Sequence, residues 1–126
     1  MATRSRIGIE LKDGSILSAY HHWDGYPEWL GRILATHYNS REQVAELIDG
    51  GDMSTCWDEN KNPEYYSARG EDCPPRYDES MEEFLSNGEE FSYIYTQFVG
   101  WVCYDMNEFN DKSPELTEIP SGALMA

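Results

Sequence analysis

The sequence predicts an α+β fold, in which an antiparallel sheet is built from two hairpins and helices pack on one face of it. Apolar residues alternate on both sides of Asp13-Gly14 and recur at helical spacing after Pro27. Strand-forming residues dominate 90–106, which we interpret as the second hairpin. We expect residues 1–106 to form one domain, a usual size for a single hydrophobic core.

The first hairpin is predicted over residues 5–22, where apolar and polar side chains alternate. Asp13-Gly14 is the preferred pair for a two-residue type I′ turn. A loop of that length fixes which residues lie opposite each other, and cross-strand partners share a face of the sheet. On the face away from the core, this register brings together Arg4, Arg6, His21 and Trp23.

Three helices are predicted, and two of them begin at capping boxes. The first spans 27–39, with Pro27 in its first turn and Asp24 placed to accept hydrogen bonds from free N–H groups. A Ser-x-x-Gln box at Ser40 opens the second helix, and a Ser-x-x-Glu box at Ser80 opens a short third one.

Two segments lack a clear period. Residues 52–77 contain Asn62-Pro63, Gly70 and a proline pair, which is typical of a long loop, and long loops in compact domains are often functional. Residues 107–126 also lose the pattern, and we expect a mobile C-terminal tail there.

The charge of the chain is strongly negative and unevenly distributed. Residues 1–48 carry five basic and six acidic residues, whereas 49–126 carry four basic and eighteen acidic ones, so the second part holds −14 of the net −15. Direct nucleic-acid binding needs a basic surface and is disfavoured. Two explanations of these acidic residues remain. They keep the protein soluble, or they imitate the phosphates of a nucleic acid and bind a basic groove of another protein.

The cysteine count and the hydropathy of the chain favour the cytoplasm. The three cysteines are odd in number and widely spaced, so we expect reduced thiols rather than a structural disulfide. No apolar run reaches the roughly 20 residues of a membrane span, and the polar first residues predict no signal peptide. We therefore expect no membrane association and a cytosolic location.

Chemistry-bearing motifs are few, and we predict no enzymatic activity, no metal and no cofactor. His21 and His22 are strand neighbours that point to opposite faces, so they do not suit one zinc ion. Cys103 lies in an apolar strand. Cys56 and Cys73 have acidic neighbours, which raise the pKa of a thiol and disfavour the reactive thiolate. A phosphate-binding glycine loop is not found in the sequence.

A ligand-binding surface remains as the prediction for the site. Arginines can hold phosphates and aromatic rings can stack on a base, a mixture that suits a planar anionic ligand such as a nucleotide. The predicted ligand-binding residues are Arg4, Arg6, His21, Trp23, Tyr26 and Arg69. The alternative is structural: the aromatic residues fill the core under the first helix, and Arg69 forms local ion pairs on a solvated turn.

The first 54 residues resemble a group of small phage-encoded proteins. The shared pattern is T-R-S-R-I, a D-G hairpin, H-x-D-G-Y-P and L-I-x-x-G-D-x-S, which here are residues 3–7, 13–14, 22–27 and 47–54. This group is similar to the phage Thoeris anti-defence sponges. The resemblance implies a homo-oligomer that binds and sequesters a cyclic nucleotide signal of the host's immune system without catalysis, in a pocket at a subunit interface. The rival hypothesis is an acidic, DNA-mimicking inhibitor that occupies a host protein.

Overall fold

The computed structural model describes residues 2–110 and 112–120 and confirms a mixed α+β protein. The strands are β1 Ser5–Glu10, β2 Ile16–His21, β3 Met53–Thr55, β4 Glu64–Tyr65, β5 Arg76–Asp78, β6 Phe91–Thr96, β7 Gly100–Asp105 and β8 Glu115–Thr117. The helices are α1 Arg32–His37, α2 Arg41–Asp49 and α3 Met81–Phe84, with a π-helical turn at Pro27–Gly31 and a 3₁₀ turn at Tyr66–Arg69. The π-helical turn and α1 together take the place of the helix predicted over 27–39.

All eight strands belong to one sheet with the order β4-β3-β2-β1-β6-β7-β8, and β5 pairs with β2. Both predicted hairpins are present as antiparallel pairs, β1 with β2 and β6 with β7. The prediction of an antiparallel sheet is nevertheless wrong, because β1 runs parallel to β6 and β2 runs parallel to β3. Helices separate β2 from β3 along the chain, and such a crossover permits a parallel pair.

The first hairpin has a three-residue loop rather than the predicted two-residue one. Leu11 N–H donates to the Ser15 carbonyl over 2.8 Å, and Gly14 adopts a φ of 87°. The Asp13 carboxylate accepts a hydrogen bond from Ser15 N–H at 3.0 Å, which stabilises the longer loop. The register therefore shifts by one residue, and such a shift moves side chains to the opposite face. Arg6 lies opposite Tyr20, not opposite His21.

Helices pack on both faces of the sheet, which corrects the prediction of a single covered face. On one side, α1 and α2 cover the larger core, formed by Ile7, Ile9, Ala19, Leu30, Ile33, Leu34, Val44, Leu47, Ile48, Met53, Cys56, Tyr93 and Cys103. On the other side, α3 inserts Phe84 between Ile16 and Ile94. We call these the α1–α2 face and the α3 face. Arg6, Tyr20 and the other even-numbered residues of β1 and β2 point to the α3 face.

The two segments without a period are more ordered than predicted. The expected loop at 52–77 contributes β3, β4, β5 and a 3₁₀ turn. In the expected tail, β8 pairs with β7, and Ile119 packs against the larger core. Pairing with a sheet that already exists stabilises short strands that have no periodic pattern of their own. The expectation for residues 121–126 lies outside the described residues.

Candidate functional site

A buried arginine lies at the centre of the α3 face. Arg6 lies in β1 and is only 7% exposed. Its Nε donates to Ser18 Oγ at 3.0 Å, and its Nη2 donates to the Ser18 carbonyl at 3.2 Å. Among the described residues, no carboxylate oxygen lies within 4.0 Å of this guanidinium. The charge is therefore buried without a contact ion pair, an arrangement that costs free energy.

Charges of both signs surround Arg6 at longer range. Burial lowers the pKa of the Arg6 guanidinium, and the Asp52 carboxylate opposes that shift. The cation of Arg76 lowers the pKa further, whereas Glu89 and Asp78 raise it. An arginine remains protonated in proteins despite such shifts. The α3 face consequently presents a fixed positive charge that lacks a neutralising contact.

A row of aromatic side chains starts at Tyr20, opposite Arg6, and runs past the end of β2. Tyr20 is the cross-strand partner of Arg6, and its hydroxyl lies 2.6 Å from His22 Nδ1. The His22 ring meets the Trp23 ring edge to face, with 4.6 Å between centroids. The indole of Trp23 is 47% exposed and accessible to a ligand. We use the name Arg6 cluster for Arg4, Arg6, Tyr20, His22 and Trp23.

Arg4, like Trp23, is an exposed member of the Arg6 cluster. Its backbone N–H donates to Glu90 Oε2 at 2.8 Å, and the guanidinium takes no part in this hydrogen bond. Burial raises the pKa of Tyr20 to about 12, Glu89 adds to this, and Arg4 opposes it. Arg4 thus acts on Tyr20, the cross-strand partner of Arg6.

Glu89 is a further member of this environment that sequence reasoning missed. Burial raises its carboxyl pKa, whereas Arg4 and Arg6 lower it. Asp52 also lies near, and its Oδ1 accepts a hydrogen bond from Tyr20 N–H at 2.9 Å. Both acids reach the α3 face from distant parts of the chain, so no local sequence signal could have shown their proximity.

His21 does not share a face with Arg6, so its predicted placement beside the arginines is wrong. The one-residue shift of the hairpin places it on the α1–α2 face, where it is fully buried. Its Nε2 accepts the Cys56 N–H at 3.0 Å, and its Nδ1 has no partner among the described residues. An accepting Nε2 requires a neutral ring that carries its proton on Nδ1. Burial, assisted by the His22 charge, lowers its pKa to about 3.

The neutral state of His21 makes the stability of the protein sensitive to acid. In the unfolded chain His21 titrates near 6.5, whereas in the folded protein it stays neutral down to about pH 3. Protons therefore bind the unfolded state preferentially, and the free energy of unfolding falls as the pH drops below about 6.5. At about pH 5, this single group should lower the free energy of unfolding by about 2 kcal/mol relative to neutral pH.

His21→Gln tests this contribution, because the Gln side-chain oxygen can still accept the Cys56 N–H. Urea unfolding of both proteins at about pH 7.5 and pH 5 should show a smaller loss of stability in the variant. The carboxylates titrate in both proteins and cancel in the comparison. Equal losses would contradict the assignment of a neutral, buried His21.

Tyr26 and Arg69 make their contacts elsewhere. The Tyr26 carbonyl accepts Leu30 N–H at 2.9 Å, and its half-buried side chain precedes the π-helical turn. Arg69 is exposed, forms an ion pair with Glu64 and lies 5.3 Å above the centre of the Tyr66 ring. The contacts of Arg69 match the structural alternative of local ion pairs on a turn, and Trp29 packs against the larger core as that alternative expects.

The Asp24-Gly25 corner has a structural role that differs from the predicted helix cap. The first helical turn has Tyr26 at its N-cap position with no side-chain hydrogen bond, so Asp24 does not cap it. Asp24 instead adopts a left-handed φ of 53°. Gly25 N–H donates to the Thr3 carbonyl at 2.8 Å, and the Gly25 carbonyl accepts the Tyr93 hydroxyl at 2.7 Å. The corner thereby joins the start of β1 to the larger core.

The surroundings of all three cysteines disfavour the thiolate form. Burial raises the pKa of Cys103 to about 12 and that of Cys56 further. The pKa of Cys73 is also raised, by desolvation and by neighbouring carboxylates. A cysteine nucleophile must be a thiolate. Within 2–110 and 112–120, no group of three or more His, Cys, Asp or Glu side chains is placed to hold a metal ion.

Comparison with known proteins found no matching family model, no matching curated protein and no matching solved structure. The resemblance to phage-encoded sponges therefore stays a prediction. Among the helices that the structure describes, none has the length and apolar character needed to cross a membrane.

Proposed function

We propose that this protein binds a small nucleotide-derived anion in the Arg6 cluster and sequesters it without transforming it. The observation that carries the proposal is the Arg6 guanidinium, buried to 7% exposure with no contact carboxylate among the described residues. A buried charge of this kind destabilises the folded protein unless something compensates it. An anionic ligand supplies that compensation, and residues retained at a cost in stability are typical of functional sites.

The remaining members of the Arg6 cluster suit a nucleotide. Guanidinium groups bind phosphate oxygens through charge-assisted hydrogen bonds, a role that we assign to Arg6 and Arg4. Exposed rings stack on bases without strong preference for the base, a role that we assign to Trp23 with His22 and Tyr20 behind it. In this proposal the protein acts in the cytosol of a phage-infected cell and removes a signal of the host's defence.

Glu89 sets the pH dependence that this proposal predicts. Its ionised carboxylate would repel an anion bound beside Arg4 and Arg6, and its pKa is already raised by burial. Binding should therefore be coupled to protonation of Glu89 and should strengthen as the pH falls toward its pKa. At about pH 7.5, Glu89→Gln should bind the anion roughly fivefold more tightly, which corresponds to about 1 kcal/mol for a partly solvated charge pair.

The matched control for this prediction is Glu82→Gln, which removes an exposed carboxylate of α3. Its affinity should equal that of the parent protein after correction for ionic strength. His22 and Tyr20 are present in all three proteins, so a difference in pH profile between them belongs to Glu89. Weaker binding by Glu89→Gln would mean that the carboxylate contacts the ligand favourably, contrary to our assignment.

Isothermal titration calorimetry tests the proposed function itself. The titrants are a panel of cyclic mono- and dinucleotides and cyclic ADP-ribose isomers. We expect saturable binding of at least one member. After incubation with the protein, chromatography should show that the recovered ligand is chemically unchanged. The absence of heat with every member would contradict the proposal, and conversion of the ligand would contradict the non-catalytic role.

We also propose that the protein is a homo-oligomer in which a second copy covers the exposed residues of the Arg6 cluster. Large apolar side chains are exposed at the β6–β7 turn, where Phe98 is 91% and Val99 is 73% exposed. Leu116 on the edge strand β8 is 67% exposed. Edge strands and exposed apolar patches are commonly covered by association. Light scattering gives the molar mass, and a monomer with full ligand affinity would contradict this part of the proposal.

A second candidate is an acidic inhibitor that imitates DNA and occupies a host protein. The observation that favours it is the scarcity of compensating contacts: in the described part of the chain, only Glu64 and Asp78 lie within 4.0 Å of a basic side chain. Most of the 24 acidic residues are thus available to a basic partner. Binding to such a partner should weaken steeply with salt, whereas an affinity that is insensitive to salt would exclude this candidate.

A further inference from the structure

We propose that a second site on this protein binds an organic cation, in a cavity between the exposed side of α2 and the segment that carries β4. The cavity has a volume of about 470 Å³ and is lined by Tyr38, Gln43, Glu46, Leu47, Asp49, Gly50, Pro63 and Tyr65. Ligand pockets commonly fall between about 300 and 1,000 Å³. This site shares no residue with the Arg6 cluster, so the inference goes beyond the proposed function and does not depend on it.

The two tyrosines form rigid aromatic walls. The Tyr65 hydroxyl donates to the Leu47 carbonyl at 2.6 Å, and the Tyr38 hydroxyl donates to the Cys56 carbonyl at 3.2 Å. Both polar ends are therefore occupied by main-chain groups. The Tyr65 ring also lies directly on Gly50, since a Cβ at that position would come within 2.3 Å of the ring. Both rings line the cavity, and an aromatic ring attracts a cation that lies over its free face.

The charged groups that line the cavity are all negative. Glu46 and Asp49 are exposed carboxylates of α2, and the cavity lining contains no lysine or arginine. Burial raises the pKa of Tyr65 to about 12, and both carboxylates add to this, which indicates that they act on the cavity. Glu46 and Asp49 also line a neighbouring cavity that contains Arg41, whose guanidinium donates to the Glu10 carbonyl.

The combination of aromatic faces with carboxylates selects a cation that carries an apolar surface. A metal ion would gain little from the rings, and a neutral apolar molecule would leave the carboxylates without a partner. Quaternary ammonium groups, alkylammonium chains and guanidinium groups share the required chemistry. We use choline as the probe, because 3,3-dimethylbutan-1-ol has the same shape without the charge.

The experiment is a titration of the full-length, ¹⁵N-labelled protein, followed by amide chemical shifts. Choline should cause saturable shifts around Gly50 and Tyr65, and the neutral alcohol should not. Glu46→Gln and Asp49→Asn should each weaken choline binding by about fivefold, the change expected for a partly solvated ion pair. Glu42→Gln on the same helix lies outside the cavity lining and should bind like the parent.

Tyr65→Phe serves as a second control, because it keeps the ring and removes only the hydrogen bond to Leu47. This variant should retain binding, whereas Tyr65→Leu should lose it while its amide spectrum remains that of a folded protein. Equal binding of the neutral alcohol, or the same affinity in Glu46→Gln and the parent, would overturn the inference. An absence of saturable shifts with choline would also overturn it.

Discussion

Arg6→Met is expected to lower the affinity for a nucleotide-derived anion by roughly ten- to a hundredfold, the loss of one charged hydrogen-bonding contact. The melting temperature should not fall and is expected to rise. Arg6 is buried with hydrogen bonds to Ser18 only and no contact carboxylate among the described residues. Removing a buried charge that has no contact partner relieves the cost of its desolvation. Calorimetry and thermal unfolding measure the two quantities on the same sample.

The matched control is Arg41→Met, which removes an exposed arginine of α2. It should leave the affinity for the anion unchanged. An Arg6→Met protein that lost stability and affinity together would show that the guanidinium is a structural group. An Arg6→Met protein that kept its full affinity would remove Arg6 from the site.

Gly25→Ala is expected to destabilise the fold by roughly 1–3 kcal/mol, the usual cost of overpacking a tight interior. A Cβ at this position would lie 2.7 Å from the Thr3 carbonyl oxygen and 2.8 Å from Ser5 Cβ. Backbone atoms cannot move aside as the end of a flexible side chain can. The strain would also disturb the hydrogen bond from the Tyr93 hydroxyl to the Gly25 carbonyl.

Gly88→Ala provides the control, because no atom lies within 4 Å of a Cβ built at Gly88. Its unfolding free energy, measured by urea denaturation, should stay close to that of the parent. Equal stability of the two variants would contradict the close approach between the Gly25 corner and β1. The D-G-Y-P motif would then need an explanation other than packing.

Local signals in the sequence predicted the elements well. At both predicted capping boxes, the serine hydroxyl accepts the expected backbone N–H: Ser40 from Gln43 at 3.3 Å and Ser80 from Glu83 at 3.1 Å. The two hairpins form where alternation, for the first, and strand-forming residues, for the second, predicted them. These features depend on residues within a few positions of each other, which is the range over which sequence patterns are informative.

Long-range pairing was not accessible from the same signals. No local pattern shows that β1 joins β6 in parallel, or that β8 adds to β7 at the edge of the sheet. The sequence of β8, Glu-Leu-Thr, is too short to have a period of its own. Pairing with β7 stabilises it. Because its own sequence carries no strand signal, it was predicted to be part of a mobile tail.

The candidate site was predicted in part, and the loop of the first hairpin accounts for the error. Alternation predicted that Arg6 and Arg4, which directly precedes β1, lie on one face. With a two-residue loop, His21 would lie on the same face as Arg6. With the observed three-residue loop, Tyr20 lies on that face and His21 lies in the core. Asp-Gly occurs in both loop types, and the hydrogen bond from Ser15 N–H to Asp13 favours the longer one.

The central claim is that the Arg6 guanidinium receives an anionic ligand, and arginine side-chain NMR tests it most directly. The Nε–H of Arg6 donates to Ser18 Oγ, a bond that should give it a distinct, slowly exchanging signal. Addition of the nucleotide that binds in calorimetry should shift this signal saturably and leave the Arg41 signal in place. Saturable binding with an unchanged Arg6 signal would contradict the account.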